Sequence, residues 1–302
     1  MRMSVGDFLL KRLAELGARY LFGVPGDYNL WFLEQAEGSN DVEFVGCCNE
    51  LNAAYAADGF ARLRGFSALV TTYGVGELSA IAGVAGAYAE RVPVVCIIGA
   101  PPLGAIAERA LVHHTLGDGN FVNMLSSHRD FSVAQTRIEP ANARWEIDRV
   151  LRSCWIEKRP VYLQLPSDVP AMTIEVPEEP LQLAAPTSDP TQLVLAIERI
   201  ATRIAEADLP AILLDADVAR FGLTKRIVSL IEAHSIPFAT LPAAKALIDE
   251  SHELHLGTYR GAASAPEVRV AIESADCLLC VGVRFTHRDG ILQPPSPIRG
   301  TH

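Results

Sequence analysis

The stretch Ser-Ala-Leu-Val-Thr-Thr-Tyr-Gly-Val-Gly-Glu-Leu-Ser, residues 67–79, decides the fold of this chain. Its first half is a β-rich apolar run that continues into a turn with glycines at 74 and 76 and then into a helical pattern. A strand that enters a helix in this way is typical of βαβ units, whose strands lie parallel in one sheet. This stretch therefore predicts an α/β fold.

The same alternation of strands and helices extends to both sides of this stretch. Apolar residues at helical spacing predict a helix over 4–16, which Gly17 ends. The other predicted strands of this region are 20–24, 42–45, 93–98, 131–134 and 161–165. We therefore expect residues 1–172 to form a domain with a parallel sheet flanked by helices.

A second α/β domain is predicted after a polar segment. Residues 173–190 carry prolines and glutamates that interrupt the periodicity, which indicates an exposed linker. Beyond it, the predicted elements are helices over 191–207 and 223–234 and strands at 211–215, 237–240 and 277–283. Residues 286–302 contain three prolines and no helical or strand period, where a parallel sheet requires a crossover connection. We therefore expect 191–302 to be an incomplete domain.

Composition narrows the class of protein. The chain has 302 residues, of which 49% are hydrophobic and 21% charged, as in packed two-domain proteins. A formal net charge of −10 and the lack of a basic cluster argue against nucleic-acid binding. Neither a signal peptide nor a run approaching ~18 apolar residues is present, so we expect a cytoplasmic protein that does not enter membranes. The six cysteines lie mostly in apolar segments, which predicts reduced thiols.

Chemically active side chains follow the predicted strands. In an open parallel sheet, ligands bind beyond the carboxyl ends of the strands. Asp27 follows the first strand, Glu50 the second, and His113 and His114 lie in the long segment after the fourth. Two carboxylates and two imidazoles at one sheet edge suit proton transfer near neutral pH, because histidine titrates there and burial can tune a glutamate.

Each of these residues also has a purely structural interpretation. Asp27 would be a helix N-cap, and Glu50 would be a first-turn acid that stabilises its helix by roughly 0.3–1 kcal/mol. Gly74 and Gly76 would be turn glycines, and the two histidines would be solvated on a loop. The presence of all of them at one predicted edge favours a site.

Five short motifs resemble the N-terminal pyrimidine-binding domain of thiamine diphosphate-dependent 2-oxo acid decarboxylases. They are Gly-Asp-Tyr-Asn-Leu (26–30), Cys-Cys-Asn-Glu-Leu-Asn (47–52), Asp-Gly-Phe-Ala-Arg (58–62), Tyr-Gly-Val-Gly (73–76) and His-His (113–114). The resemblance is strongest over residues 3–168 and extends more weakly over 191–285 as a middle domain. The histidine pair together with the first motif resembles the pyruvate, indolepyruvate and phenylpyruvate decarboxylase group rather than the acetolactate synthases.

The resemblance implies a fold and an activity. The fold is a pyrimidine-binding domain followed by part of a Rossmann-like α/β middle domain. The activity is non-oxidative decarboxylation of pyruvate, indolepyruvate or phenylpyruvate to an aldehyde. By the same resemblance, Glu50 hydrogen-bonds the aminopyrimidine of the cofactor and favours its imino tautomer. Asp27, His113 and His114 then manage the proton transfers that release the aldehyde.

The resemblance also implies the cofactor contacts. The residues expected to bind thiamine diphosphate are Glu50, Pro25, Gly26, Thr72, Tyr73, Gly74 and Gly76. In this family the diphosphate and Mg²⁺ are held by a third, C-terminal domain with a Gly-Asp-Gly motif. We interpret Gly117-Asp118-Gly119 as a loop, because it does not follow a β-rich run and the next asparagines, at 120 and 123, are too close. No metal ligand is therefore expected in this chain.

The resemblance further implies assembly. Family members are homodimers or tetramers, in which the pyrimidine half of the site in one subunit faces the diphosphate half in another. Three hypotheses follow: the N-terminal part of a decarboxylase that is inactive alone, one subunit of a split enzyme, or a catalytically silent chain that acts by subunit interaction. The aperiodic stretch 286–302 favours the first, a truncated or excised decarboxylase.

Overall fold

The computed structural model describes residues 1–285 and divides the chain into two compact units. The first comprises Met1–Ala185 and the second begins at Pro186. Every candidate site residue predicted from the sequence lies in the first unit. Residues 173–175 belong to this unit as well, since they pair with its N-terminal strand.

The first unit alternates strands and helices along the chain. Its strands are β1 (Arg2–Ser4), β2 (Tyr20–Gly23), β3 (Glu43–Gly46), β4 (Ser67–Thr72), β5 (Val94–Ala100), β6 (Gln135–Arg137), β7 (Val161–Pro166) and β8 (Thr173–Glu175). Its helices are α1 (Val5–Glu15), α2 (Leu30–Glu37), α3 (Glu50–Arg64), α4 (Val75–Ala89), α5 (Leu103–Ala107), α6 (Asn123–Ser127) and α7 (Ala143–Glu157). Six strands form a parallel sheet in the order β3-β2-β4-β5-β7-β6, while β1 and β8 pair antiparallel. The predicted fold class is confirmed.

Helices cover both faces of the six-stranded sheet. Helices α1, α2 and α7 pack on one face, where Phe8, Phe32 and Leu151 belong to one apolar core. Helices α3 and α4 pack on the other face through small side chains. The central strands β4 and β5 are consequently buried along their whole length, as expected for parallel strands with two covered faces. This arrangement puts the loops after β2, β3, β4 and β5 at one edge.

Small residues let α3 and α4 approach closely. A side chain at Gly83 would place its Cβ 2.6 Å from the Cβ of Ala54. The start of α3 is fixed by Asn49, whose side chain accepts a hydrogen bond of 2.8 Å from the backbone N–H of Asn52. Its end is fixed by Gly65, which adopts a φ of 89°. Glu50 is thereby held in the first helical turn.

One predicted strand of this unit was misplaced. Residues 131–134 were expected to form a strand, but a 3₁₀ turn covers Arg129–Phe131 and the strand β6 begins at Gln135. The backbone of Val133 and that of Ala134 already bond to Pro160 and Tyr162, so these residues only approach the sheet. Because β6 is a short edge strand, its apolar pattern does not define where pairing begins.

The second unit is a smaller α/β structure. Its strands are β9 (Pro210–Leu214), β10 (Phe238–Thr240), β11 (His255–Thr258) and β12 (Cys277–Val281). Its helices are α8 (Pro190–Ala205), α9 (Asp217–Arg220), α10 (Thr224–His234) and α11 (Pro266–Glu273). The strands form a parallel sheet in the order β11-β10-β9-β12, and β11 was not predicted. The aperiodic stretch 286–302 lies outside the described residues.

Two further properties concern membrane-spanning helices and the state of the cysteines. No helix within residues 1–285 combines the length and the apolar character needed to cross a membrane. All six cysteines are free thiols, with Cys96 and Cys154 buried and Cys48 and Cys280 exposed.

Candidate active site

Direct contacts join the loops after β2, β3, β4 and β5. A Cβ added to Gly26 would lie 2.6 Å from the Cβ of Thr72, so the first and third of these loops touch. Glu50 lies against Gly76 in the third loop, and His113 in the fourth loop binds Asp27 in the first. These contacts place Asp27, Glu50 and His113 at one edge of the sheet.

Glu50 faces a glycine. Its Oε1 lies 3.2 Å from the position that a Cβ on Gly76 would occupy. Within residues 1–285, no side chain or backbone group donates a hydrogen bond to this carboxylate. A half-buried carboxylate in the first turn of a helix benefits from the helix dipole, yet its acceptor capacity is unused. A side chain at Gly76 would crowd this carboxylate and the methyl group of Thr72, with its Cβ 3.2 Å from each.

Asp27, His113 and Tyr28 form a chain of contacts. The Oδ2 of Asp27 lies 2.9 Å from Nε2 of His113. The ring of buried Tyr28 stacks on that of His113, with centroids 4.9 Å apart and planes at 19°. The Tyr28 hydroxyl lies 3.3 Å from Nδ1 of the same imidazole, and burial raises the pKa of Tyr28. His113 is thus held on both ring nitrogens.

The capping interpretation of Asp27 is wrong. Asn29, not Asp27, occupies the N-cap of α2, and its side chain makes no capping hydrogen bond. The carboxylate of Asp27 is exposed and engages His113 instead. Tyr28 was not identified from the sequence as a site residue, although an aromatic residue beside Asp27 in a glycine-containing turn is a signal that could have indicated it.

Gly74 contacts the backbone of His114. Gly74 has a φ of 63° and a ψ of −93°, and a Cβ on it would overlap the carbonyl oxygen of His114. His114 has a φ of 61°, which is uncommon for a residue other than glycine. The imidazole of His114 lies edge-on to that of His113, with centroids 4.6 Å apart. The turn after β4 and the histidine loop are therefore fixed against each other.

Glycines and unpartnered polar atoms lie together at this edge of the sheet. Gly26, Gly74 and Gly76 allow close packing here, since a Cβ on any of them would lie 3.2 Å or less from an atom of Thr72, His114 or Glu50. Two buried polar atoms, Oγ1 of Thr72 and Nδ1 of His114, have no hydrogen-bond partner in the described part of the chain. Both atoms are shielded from solvent and lack the hydrogen bond that buried polar atoms normally make.

A buried carboxyl group beneath the site was missed by sequence reasoning. Glu77 is fully buried, and its Oε1 accepts a hydrogen bond of 2.8 Å from the backbone N–H of Gly74. Its Oε2 accepts a hydrogen bond of 2.7 Å from the hydroxyl of Tyr162. Burial raises the pKa of Glu77 to about 7. The signal in the sequence is its position three residues after Gly74, where a helix-capping acid is expected.

The described residues offer no metal site. Among residues 1–285, no three His, Cys, Asp or Glu side chains cluster with metal-binding geometry. Asp118, between Gly117 and Gly119, accepts hydrogen bonds from the backbone of Asn120 and the side chain of Asn123. These hydrogen bonds lower its pKa. The residues present therefore do not fit Mg²⁺.

Comparison with known proteins identifies both units. Residues 3–125 match the family "Thiamine pyrophosphate enzyme, N-terminal TPP binding domain", and residues 197–298 match "Thiamine pyrophosphate enzyme, central domain". The chain is 49% identical over 283 residues to an alpha-keto-acid decarboxylase of Mycobacterium avium (strain 104). It is 48% identical over 284 residues to the protein of that name from Mycobacterium tuberculosis (strain CDC 1551 / Oshkosh).

These matches cover most of this chain but half of the relatives. The aligned region is 94% of this chain and 50% of each relative, including a third from Mycobacterium ulcerans (strain Agy99) at 48% identity. The chain thus spans about half the length of the curated relatives it matches. The resemblance read from the five motifs is confirmed. This chain therefore belongs to the thiamine pyrophosphate enzyme family and carries that family's N-terminal TPP binding domain and central domain.

Proposed function

We propose that the first unit is the aminopyrimidine-binding half of a thiamine diphosphate-dependent 2-oxo acid decarboxylase. The observation that carries this proposal is the Glu50 carboxylate, which faces Gly76 and receives no hydrogen bond from the described residues. A carboxylate in this state can bind a protonated ring nitrogen. The unpartnered atoms of Thr72 and His114 support the same ligand.

The roles of the side chains follow from their contacts. Thiamine diphosphate, when bound, supplies the electron sink for loss of carbon dioxide from a 2-oxo acid. Glu50 holds a proton at the pyrimidine ring and thereby favours the imino tautomer. Asp27 orients His113 through Nε2, while Tyr28 supports the ring from its face. His114, whose imidazole lies edge-on to that of His113, is the second imidazole that would exchange a proton with the substrate or the aldehyde product.

The substrate class and the second half of the site complete the proposal. We propose that the substrate is pyruvate, indolepyruvate or phenylpyruvate, in line with the name alpha-keto-acid decarboxylase borne by the relatives. The diphosphate and Mg²⁺ would be held by residues outside 1–285, because the described residues contain no cluster suited to a metal. The chain alone would therefore bind the pyrimidine without turning over a 2-oxo acid.

We also propose that the chain associates with a second copy through α4. The exposed positions of this helix are Val75, Leu78, Ser79, Ala82, Gly86 and Ala89, and none is charged. Val75 is 57% exposed and Leu78 is 41% exposed. A surface helix normally presents charged residues to solvent, so this face indicates a protein partner.

A titration that compares thiamine with thiamine diphosphate tests the proposed half-site. In ¹H–¹⁵N NMR spectra of the full chain, both ligands should shift the amides of Glu50, Gly74 and Gly76. Because only the pyrimidine is recognised, their affinities should agree within about threefold, and Mg²⁺ should not change them. Glu50→Gln should weaken both ligands about tenfold or more, as expected when a charge-assisted hydrogen bond is lost.

Glu267→Gln is the matched control, because Glu267 is an exposed first-turn acid of α11 in the other unit. It should leave both titrations unchanged. Shifts confined to other residues would contradict the pyrimidine site. Much tighter binding of thiamine diphosphate with Mg²⁺, or turnover of pyruvate or phenylpyruvate by the purified chain, would contradict the half-site proposal. No binding at all would favour a catalytically silent chain.

A further inference from the structure

Glu77 lies in the apolar interior beneath the candidate site. Its neighbours come from four different elements or loops: Gly74 before α4, Tyr162 on β7, His128 after α6 and Cys96 on β5. Nδ1 of His128 lies 3.6 Å from Oε2 of Glu77 and also contacts the carbonyl oxygen of Met124. A buried carboxyl group is costly to desolvate, and its two hydrogen bonds offset part of that cost.

The turn of residues 73–76 contacts both Glu50 and His114. Glu77 accepts a hydrogen bond from the backbone N–H of Gly74. Gly74 in turn packs against the carbonyl oxygen of His114. Gly76, two residues further on, faces the carboxylate of Glu50. A shift of this turn would therefore move the surface opposite Glu50 and the backbone of His114 together. Glu77 is the described side chain that hydrogen-bonds the turn from below.

We propose that Glu77 is a positioning residue that fixes the turn of residues 73–76 from the protein interior, and so sets both the surface facing Glu50 and the backbone of His114. This inference rests on the proposed function, since it assigns Glu77 a part in building the pyrimidine site. Glu77 acts through backbone atoms and does not itself touch the ligand.

The charge of Glu77 gives the proposal a specific readout. Burial raises its pKa to about 7, so its charge changes near neutral pH. The titratable groups that face it are Tyr73, Cys96, His128 and Tyr162. Burial raises the pKa of Tyr73 and of Cys96, so the Tyr73 hydroxyl and the Cys96 thiol stay neutral where Glu77 titrates. Burial lowers the pKa of His128. The guanidinium of Arg137 donates a hydrogen bond to the side-chain oxygen of Gln164, and the side-chain amide of Gln164 donates one to the Tyr162 hydroxyl.

The Gly74 amide should report the ionisation of Glu77, because a carboxylate is a stronger hydrogen-bond acceptor than a carboxyl group. In NMR spectra of the full chain between pH 5 and 8, the Gly74 N–H signal should titrate near neutral pH. Glu77→Gln should abolish this titration but keep the acceptor. Glu77→Ala should speed hydrogen exchange of the Gly74 amide about tenfold or more and shift the signals of His114, while Glu77→Gln should change the exchange rate less than tenfold.

The matched control is Glu90→Gln, the same change at the C-cap of α4, where the side chain is 46% exposed beside Arg62, and this variant should behave as wild type. Should Glu77→Ala fail to fold, Tyr162→Phe removes one hydrogen bond to the carboxyl group and should move the Gly74 titration to higher pH. An untitrating Gly74 amide in the wild-type chain would overturn the proposal. So would an unaltered Gly74 exchange rate and unaltered His114 signals in Glu77→Ala.

Thiamine added to the same samples separates this inference from the proposed function. Positioning predicts weaker thiamine binding in Glu77→Ala and near-normal binding in Glu77→Gln at pH 7. If wild type shows the Gly74 titration but does not bind thiamine, the proposed cofactor site fails while the link from Glu77 to the turn stands. If wild type binds thiamine and Glu77→Ala binds it equally well, the positioning role fails while the site stands.

Discussion

At the scale of single residues, Gly74 occupies a position that suits glycine for two reasons, its backbone conformation and the lack of space for a side chain. Its φ of 63° and ψ of −93° suit glycine, and a Cβ there would overlap the His114 carbonyl. Gly65 also has a positive φ, 89°, but a Cβ on it would meet no atom within 4 Å. A comparison of alanine substitutions at Gly74 and Gly65 therefore separates the energetic cost of backbone conformation from that of steric overlap.

Gly74→Ala should destabilise the first unit by roughly 3 kcal/mol, because conformational strain and steric overlap act together. Gly65→Ala should cost only about 1 kcal/mol, from conformation alone. Urea unfolding at one protein concentration measures both values. Equal losses in the two variants would show that the contact between Gly74 and His114 carries no energy.

The pKa of Glu77 predicts how stability depends on pH. Burial raises this pKa from an ordinary value of 4.5 to about 7, so between these values the folded chain binds more protons than the unfolded chain. The stabilisation that this group gives is therefore complete at low pH and is lost as the pH rises through about 7. It amounts to roughly 3 kcal/mol. His128 has the opposite slope, because burial lowers its pKa and its stabilising effect disappears as the pH falls.

Comparison with Glu77→Gln isolates the contribution of Glu77 from that of His128. The wild-type free energy of unfolding, minus that of the variant, should fall by roughly 3 kcal/mol between pH 5 and 8. Glu90→Gln should keep the wild-type slope. Chemical denaturation at several pH values provides the measurement, and parallel wild-type and Glu77→Gln curves would mean that Glu77 does not titrate in this range.

At the scale of elements, the α3–α4 pair depends on the lack of a side chain at Gly83. A Cβ there would lie 2.6 Å from the Cβ of Ala54, so Gly83→Ala should push the helices apart. We expect a loss of about 1–3 kcal/mol, despite the better helix propensity of alanine. Gly59→Ala, on α3 with no atom near the added Cβ, should instead stabilise by about 0.5–1 kcal/mol. Thermal unfolding should show the two changes with opposite sign.

Most of the elements that build the site could be predicted from the sequence, because local patterns define them. The apolar run Ser67–Thr72, the glycines after it and the start of α3 at Glu50 all have short-range signals. The strand predicted over 131–134 failed because a short edge strand has little burial to define its limits. Strand β11 was missed for the same reason, since its residues are only half-buried.

The contacts that organise the site could not be predicted. Tyr28 meets His113 from 85 residues away, and Glu77 meets Tyr162 at the same separation. Such pairings depend on which loops the sheet brings to one edge, and no local periodicity encodes them. The resemblance to a family supplied the candidate site residues, but neither Tyr28 nor Glu77.

At the scale of the whole molecule, the uncharged face of α4 predicts self-association. Ala82 lies in the middle of this face and is exposed. Ala82→Glu should convert a dimer to a monomer, because a buried and unpaired charge is costly. Ala233→Glu makes the same change at an exposed position of α10 and should leave the dimer intact. Sedimentation velocity measures both, and a wild-type chain that sediments as a monomer at all concentrations would refute this interface.

The division into two units has an optical consequence. The three tryptophans of the chain are Trp31, Trp145 and Trp155, and all belong to the first unit. The ammonium of Lys158 lies 3.6 Å from the centre of the Trp155 ring, where a positive charge should alter its emission. Tryptophan fluorescence therefore follows only the unit that contains the candidate site, whereas circular dichroism follows both. Where the two signals change at different denaturant concentrations, the circular-dichroism change without a matching fluorescence change reports the unfolding of the second unit without dissecting the chain.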